Sequence, residues 1–391
     1  MPPEQPGATR HYFLARELVN RGHKVTIVGS SFNHFSRRQM DISSGDDIRR
    51  ETSGGVDFIF FRGRSYDGNG LARVRGMMEF EKQVQSVQQQ ADFGKPDVVM
   101  GSSPHLFAAR GARQLAARLG KPFVLEVRDL WPLSLVEVAG VSPWHPFTLY
   151  CKWIENRLYR KANRIISLLP FANEHVQKVA PGVKPVAWIP NGIDLSIVPP
   201  VPPQPERSRF KVVYAGSFGE ANGLEALVKA LELVPSECRI EVNLYGGGAQ
   251  LPYLQAAAQR LPKGRLTVHQ AVKKEDIYSI IQHHHLCFAY LRPLNLYRYG
   301  ISLNKLYDYF ASGRPILWVG QARNNPVAEA GAGVTVETDT PAKIAAALIR
   351  LSKTPPEELH QMGLSGRAFV EKHHQFPLLG ANLEGVLKNS A

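Results

Sequence analysis

Short apolar runs recur through the whole chain without polar alternation, and stretches with helical spacing separate them. A run that is apolar on both of its faces marks a strand buried on both sides, the pattern of a parallel sheet covered by helices. In the first half such runs fall at 24–28, 57–61, 97–100, 122–127 and 164–168; in the second they fall at 211–215, 240–245, 266–269, 286–290 and 315–319. Both halves therefore read as α/β, each a doubly wound parallel sheet. The Pro-rich stretch 197–205 marks a linker between them. The predicted organisation is a first domain over 1–187, a linker over 188–205, a second domain over 206–370, and a C-terminal helix over 371–391 that packs back on the first domain.

A chain of 391 residues exceeds one ordinary core and suits two domains of about 180 residues each. Its three cysteines, Cys151, Cys238 and Cys287, are scattered, with no metal-type spacing and no disulfide framework. A reducing cytoplasm fits that usage. No run reaches the ~18 uncharged apolar residues of a membrane span, and no signal peptide opens the chain. The expected location is the cytoplasm, with peripheral contact at the inner membrane face.

The formal net charge of +13 implies an anionic partner without saying which. Between Pro104 and Pro170 stand ten Lys or Arg against four acids, and Trp131, Trp144, Phe147, Tyr150, Trp153 and Tyr159 lie among the later cations. That mixture suits docking to anionic headgroups; a solvated basic face with its aromatics turned to the core carries the same pattern. No nucleic-acid motif accompanies the charge, so no nucleic-acid partner is expected.

The beginning of the chain departs from the pattern. A doubly wound domain should place a strand ahead of its first Gly-containing loop, yet Met1 directly precedes Pro2-Pro3-Glu4-Gln5-Pro6-Gly7-Ala8. The first sheet is expected to lack a buried strand, at a cost of several kcal/mol of apolar burial, with two strand edges exposed. Low stability follows unless another segment fills the gap.

The most informative local signal is Asn304-Lys305-Leu306-Tyr307-Asp308-Tyr309-Phe310-Ala311-Ser312-Gly313-Arg314-Pro315. Ser302 suits the N-cap, Gly313 the closing position, and Pro315 follows, which predicts a helix over 303–312. Leu303, Leu306 and Phe310 face the core, while Asn304 and Asp308 share another side. With Gly300 and Ser302 the helix start offers free backbone N–H groups to a diphosphate, and Asp308 can accept from a ribose diol. An ordinary capped amphipathic helix would show the same residues.

Together with Ile189-Pro190-Asn191-Gly192-Ile193-Asp194, the stretch from Tyr290 to Pro315 resembles the C-terminal-domain signature of glycosyltransferase family 4, retaining enzymes of the GT-B fold. The resemblance covers nearly the whole chain. It implies two Rossmann-like domains facing across a cleft. In that family two carboxylates eight positions apart contact the donor sugar and the ribose; Asp308 matches the second, and the first falls on Gly300. The wording of 300–315 is similar to a bacterial subgroup that includes N-acetylfucosamine transferases of surface-polysaccharide assembly. The resemblance implies a UDP-sugar donor, a lipid-linked saccharide acceptor, and retention of stereochemistry.

By the same resemblance, Gly216, Ser217 and Asn222 form the donor-phosphate loop, where many members carry a basic pair; backbone amides and Lys305 would compensate for its absence. Lys305 also reads as a solvated helix lysine. The loop with Val272 is where the base would stack. On the first domain, Arg128 and Asp129 follow an apolar strand and match an active-site Arg-Asp-x-Trp-Pro, with Trp131 in that motif; a mutual ion pair is the plainer reading. His105 equally suits a sugar hydroxyl or a helix cap. Gly7, Arg73 and Arg75 are acceptor-side candidates. No metal is expected, because His283, His284 and His285 are adjacent and cannot converge on one ion; the chemistry is expected to need no cofactor. A GT-B nucleotide-sugar 2-epimerase and a non-catalytic GT-B binding protein are the alternatives.

Overall fold

The computed structural model describes residues 9–33, 38–42, 46–66, 68, 70–90, 93–338 and 340–390. They divide into two units: the first is Met1–Pro190 with Arg298–Ser302 and Phe376–Ala391, and the second is Asn191–Tyr297 with Leu303–Gln375.

In the first unit the strands are β1 (Thr26–Ser30), β2 (Phe32–Asn33), β3 (Arg38–Gln39), β4 (Ile48–Ser53), β5 (Val56–Phe61), β6 (Val99–Ser102), β7 (Phe123–Val127), β8 (Arg164–Ser167) and β9 (Val186–Trp188). They form two sheets rather than one, ordered β1-β5-β4 and β6-β7-β8-β9, with β2 and β3 as a separate ribbon. Shared helix layers hold the two sheets together. Val25 and Val98 pack into one apolar cluster with Leu14, Val124 and Phe376, and Val28 and Val99 pack into another with Phe61 and Val87. The first unit also departs from an all-parallel reading, because β4 runs antiparallel to β5 through the tight turn at Gly54 and Gly55. Its sequence, Ile-Arg-Arg-Glu-Thr-Ser, is too polar for a strand buried on both faces and suits a sheet edge.

The helix Phe376–Lys388 belongs to this unit and lies against the helix Arg10–Asn20. Phe376 stacks on Phe13 with ring centroids 4.7 Å apart, and Leu379 and Leu383 are buried beside Leu14 and Leu18. Gly380 lies against Glu17, where an added Cβ would come within 2.4 Å.

The second unit is one parallel sheet of β10 (Phe210–Ser217), β11 (Ile240–Gly247), β12 (Leu266–His269), β13 (Leu286–Tyr290), β14 (Ile316–Val319) and β15 (Gly333–Val336), in the order β12-β11-β10-β13-β14-β15. The chain thus winds outward from β10 in one direction and then returns to build from β13 in the other. The strand order reverses between β10 and β13, and a doubly wound sheet opens its ligand crevice at the carboxyl ends beside such a reversal. One core of Val212, Tyr214, Leu227, Val242, Phe288 and Leu348, among others, fills the layer between this sheet and its helices.

The Pro-rich stretch does not hang free. Gln282 donates to the carbonyls of Pro199 and Pro200, buried Arg314 donates to those of Pro202 and Pro203, and His285 contacts that of Pro205 at 3.2 Å. Proline carbonyls keep their acceptor strength while offering no N–H in return, so the stretch is tied to the second unit by side chains.

Candidate functional site

The carboxyl ends of β10 and β11 open into a cavity of about 460 Å³, and Gly216, Ser217, Gly246 and Gly247 form one wall of it. Gly216 and Gly246 are direct partners in the ladder, and they approach so closely that a Cβ on Gly246 would lie 1.9 Å from the Gly216 carbonyl oxygen. The three glycines leave backbone bare at the crevice, the condition for close approach to a ligand's phosphates. Ala271, Val272 and Lys273 line the cavity from the loop after β12, Lys274 from the start of the helix Lys274–Gln282, and Lys305, Asp308 and Tyr309 from the helix Asn304–Ala311.

Lys305 is not a solvated helix lysine. Its Nζ donates to Asn222 Oδ1 at 2.6 Å and to the Tyr214 hydroxyl at 3.1 Å, and it sits 4.6 Å from the centre of the Tyr214 ring. Both partners are neutral, and among the described residues no carboxylate pairs with it. Burial pushes its pKa down from 10.5 to about 8, because the low-dielectric surroundings disfavour the charged form. The same burial raises the Tyr214 phenol, keeping it neutral. Asn222 is held in turn by donating to the Ser217 carbonyl at 3.0 Å and its hydroxyl at 3.2 Å.

Asp308 lies one turn further along. One of its oxygens accepts from Lys274 Nζ at 2.5 Å and from the Tyr278 hydroxyl at 3.2 Å. Tyr278 is buried and Lys274 is exposed, so one partner fixes the carboxylate and the other covers it from solvent. The helix begins one residue later than its sequence suggests. Leu303, not Ser302, is the N-cap, with extended backbone and no side-chain cap, and its carbonyl receives the Leu306 N–H at 3.1 Å. Asn304 is exposed at the first helical position. Gly300 and Ser302 fall in Arg298–Ser302, which groups with the first unit. There the Tyr299 carbonyl accepts from the Phe171 N–H at 3.1 Å, and the Tyr299 ring lies 5.3 Å from that of His175. Gly300 has φ of +86°, which favours glycine at that corner.

In the first unit the polar residues gather at the carboxyl ends of β6 and β7. Glu126, the single charged residue of β7, is fully buried. Its carboxylate accepts from Arg10 Nε at 2.9 Å and from the Ser102 hydroxyl at 2.6 Å, and lies 2.5 Å from His11 Nε2. Arg10 also donates to the carbonyls of Ile189 and Pro190. Burial opposes the charge on Glu126, but the neighbouring His11, Arg10 and Arg128 outweigh it and hold the carboxyl well below the usual range. Burial lowers the His11 pKa against the pull of Glu126.

Arg128 and Asp129 form no ion pair among the described residues; the Arg128 N–H reaches the Ser103 hydroxyl at 3.4 Å. Asp129 is exposed, yet the protein around it pushes its pKa up against the pull of Arg128. Trp131 is half-buried behind them, joined to Pro132 by a cis peptide. His105 caps the helix Leu106–Leu119, its Nδ1 accepting from the Ala108 N–H at 3.2 Å. Burial and the nearby Arg73 push its pKa down to about 4, so it is neutral with its Nε2 left as the donor. Arg75 is exposed on the helix Leu71–Gln90, and Gly7 lies outside the described residues.

Five of the donor-side candidates, Gly216, Ser217, Val272, Lys305 and Asp308, therefore line one cavity, and Asn222 joins it through Lys305. Sequence reasoning did not single out Tyr214, Lys274, Tyr278, Arg10, His11 or Glu126. Only Glu126 carried a local signal, as a lone charge inside an apolar strand. Among the described residues, no cluster of three His, Cys, Asp or Glu side chains could hold a metal ion, and no described helix is long and apolar enough to cross a membrane.

Residues 7–197 match the family model described as Glycosyltransferase Family 4, and residues 209–354 match that described as Glycosyl transferases group 1. No curated protein matches the chain. Among solved structures it is similar to a sucrose-phosphate synthase from Thermosynechococcus elongatus, at 16% identity and a TM-score of 0.74 over 98% of this chain and 93% of that one. It is similar to Anabaena HepE solved in complex with UDP and glucose, at 12% identity and 0.66 over 99% and 98%. A trehalose-6-phosphate protein from E. coli bound with UDP-2-fluoro glucose matches at 10% identity and 0.70 over 98% and 96%. The fold shared with these structures is GT-B, two Rossmann-like domains in one chain.

Proposed function

We propose, from the premise that this chain is a glycosyltransferase of the GT-B type, that it takes the sugar of a UDP-sugar bound to its second unit. The acceptor is a hydroxyl of a lipid-linked saccharide held by its first unit, and configuration at the anomeric carbon is retained. The observation that carries the donor half is Lys305, a lysine kept half out of water with only neutral partners. A buried cation without a counter-ion is costly, and an anion arriving in the cavity relieves that cost.

The diphosphate lies against the bare backbone at Gly216, Ser217 and Gly246, with Lys305 Nζ beside the oxygens that gain charge as the sugar leaves. Electrostatic stabilisation of this kind is worth most in a site prepared in advance and shielded from water. Asp308, steadied by Tyr278, accepts from the ribose hydroxyls, and the loop at Val272 supports the base. Lys305 supplies the positive charge that a metal ion would otherwise bring, so transfer is metal-independent. On the first unit, Arg128, Asp129 and neutral His105 meet the acceptor, with Arg73, Arg75 and Trp131 around it. Two of the similar structures hold UDP or a UDP-sugar analogue, which supports the choice of nucleotide. The resemblance of 300–315 to the N-acetylfucosamine subgroup supports an N-acetylated amino or deoxyamino sugar, and a role in surface-polysaccharide synthesis at the cytoplasmic face of the membrane.

The test is a thermal-shift series with UDP, GDP and a panel of UDP-sugars, with and without EDTA. Ligand at 100 times its dissociation constant adds about 2.7 kcal/mol to the folded state. Selective stabilisation by UDP that EDTA leaves unchanged supports the reading. A cooperative transition that no nucleotide moves removes it.

A further inference from the structure

We propose that the outward face of the helix Pro146–Lys161, with the turn before it, is a docking surface for an anionic lipid bilayer. The surface deepens the lipid-linked reading of the acceptor and takes its purpose from it.

This helix is amphipathic in an unusual sense. Its inner face is ordinary: Cys151, Ile154, Leu158 and Tyr159 are buried against the first unit. Its outer face carries the bulky apolar groups that a water-facing side should not. Trp144, in the preceding turn, is 79% exposed and Trp153 is 52% exposed, with Leu149 and Tyr150 exposed between them. Positions 146, 149, 150, 153 and 157 recur at helical spacing, so one stripe holds them. Tyr150 and Trp153 stack with ring centroids 6.0 Å apart and planes 9° from parallel, which presents a flat aromatic ridge.

Cations border the ridge. Lys152 lies 5.9 Å over the Trp144 ring and Arg157 5.4 Å over that of Trp153. Arg160 and Lys161 complete the last turn, where with Trp153, Asn156 and Arg157 they line a recess of about 410 Å³. Among the described residues none of these four cations is paired with a carboxylate. Lys152 donates to the Pro143 carbonyl and Arg160 to Asn156 Oδ1. The helix has one acid, Glu155, and it is buried, accepting from the Tyr159 hydroxyl at 3.0 Å and lying 2.7 Å from His175 Nε2. With Glu155 buried, the charges this helix presents on its outer face are all positive.

Each half of this pattern alone has a plain use, but the combination selects its partner. Indole and phenol rings rest favourably at the boundary between headgroups and acyl chains, and a basic border is drawn to anionic headgroups. The recess between Trp153 and the terminal cations gives a lipid phosphate a place with charge on one side and an aromatic wall on the other. A nucleic-acid duplex, its bases stacked inside, or an acidic protein would use the cations but gain nothing specific from the indole of Trp144, which is 79% exposed.

The test uses the full chain and sedimentation with vesicles of mixed phosphatidylglycerol and phosphatidylcholine, against phosphatidylcholine alone. Binding is expected to the mixed vesicles only, with a blue shift of tryptophan emission, and to weaken with salt. Arg157→Glu with Arg160→Glu is expected to lose about tenfold or more in vesicle affinity, and Trp144→Ser with Trp153→Ser to lose the blue shift. Absence of binding to mixed vesicles overturns the proposal, as does equal binding by the charge-reversed protein. Tighter binding of a DNA duplex, with no blue shift on vesicles, overturns it too. UDP-induced thermal shifts on the same proteins separate the two readings. Intact UDP binding without vesicle binding removes the surface and leaves the transferase assignment of the donor site; vesicle binding without any UDP response does the reverse.

Discussion

Lys305 Nζ lies 2.6 Å from Asn222 Oδ1, a contact that joins the glycine-walled loop after β10 to a helix far along the chain. It holds the ammonium above the Tyr214 ring and points it toward the backbone at Gly216, where an added Cβ would stand 3.6 Å from Nζ. Charge and bare backbone are thereby brought to one place before any ligand arrives.

The pH dependence of UDP binding should follow Lys305. Its pKa of about 8 in the free protein means the cation that receives the diphosphate is lost as pH rises. UDP affinity should hold near pH 7 and weaken progressively above about pH 8, since binding an anion raises the same pKa in the complex. Stability of the unliganded protein moves the other way for this group. Between about 8 and 10.5 the unfolded chain keeps a proton that the folded chain has released, so stability gains with pH across that window. Calorimetric UDP titrations across this range, on the wild type and on Lys305→Arg, check it; a slope of equal steepness in both proteins would assign the effect elsewhere.

Asp308→Ala should weaken UDP binding by roughly 1 to 3 kcal/mol, the range for losing a charged hydrogen-bond partner. The substitution also releases Lys274 and leaves the buried Tyr278 hydroxyl without its partner, so a denaturant melt must accompany the affinity measurement. Unchanged UDP affinity in a protein that remains folded would take Asp308 out of the site.

Glu126→Ala should cost about 3 to 5 kcal/mol of stability, because it strands the buried Arg10 charge that Glu126 compensates. The two carbonyls that Arg10 also reaches cannot neutralise it. Urea unfolding of the isolated variant measures the loss, and a difference under 1 kcal/mol would show that the network relaxes.

Gly246→Ala should destabilise the second unit by about 1 to 3 kcal/mol, the usual range for overpacking, since its Cβ would stand 1.9 Å from the Gly216 carbonyl oxygen. The strands must part at the cavity wall, so UDP affinity should fall along with the melting temperature. Gly247→Ala is the control: nothing lies within 4 Å of the Cβ it adds, and its stability should change little.

The buried strands were legible because each is a local event. A run such as Phe123–Val127 or Leu286–Tyr290 contains its own apolar pattern, and the structure places strands there. The edge strand β4 was not legible, since three of its six residues are charged and only pairing with β5 makes it a strand. The Pro-rich pattern marks a linker at 197–205 but carries no sign of the buried Arg314 and Gln282, which hold that stretch by its carbonyls. The displaced N-cap at Leu303 has a similar origin: Ser302 has the better capping side chain, but backbone geometry starts the helix one residue later.

By itself the sequence determined the α/β class and the helix that brings Lys305 and Asp308 into one turn. These depend on period, punctuation and residue type, which lie along the chain. Tertiary structure alone decided that Lys305 loses its water, that Asp308 is tied to Lys274 and Tyr278, and that Glu126 binds Arg10 and His11. It also decided that Trp144 and Trp153 face outward rather than toward the core. A side chain's charge and solvation are set by groups packed around it in space, and for each of these residues the deciding neighbours come from distant parts of the chain or from the packing of a whole unit.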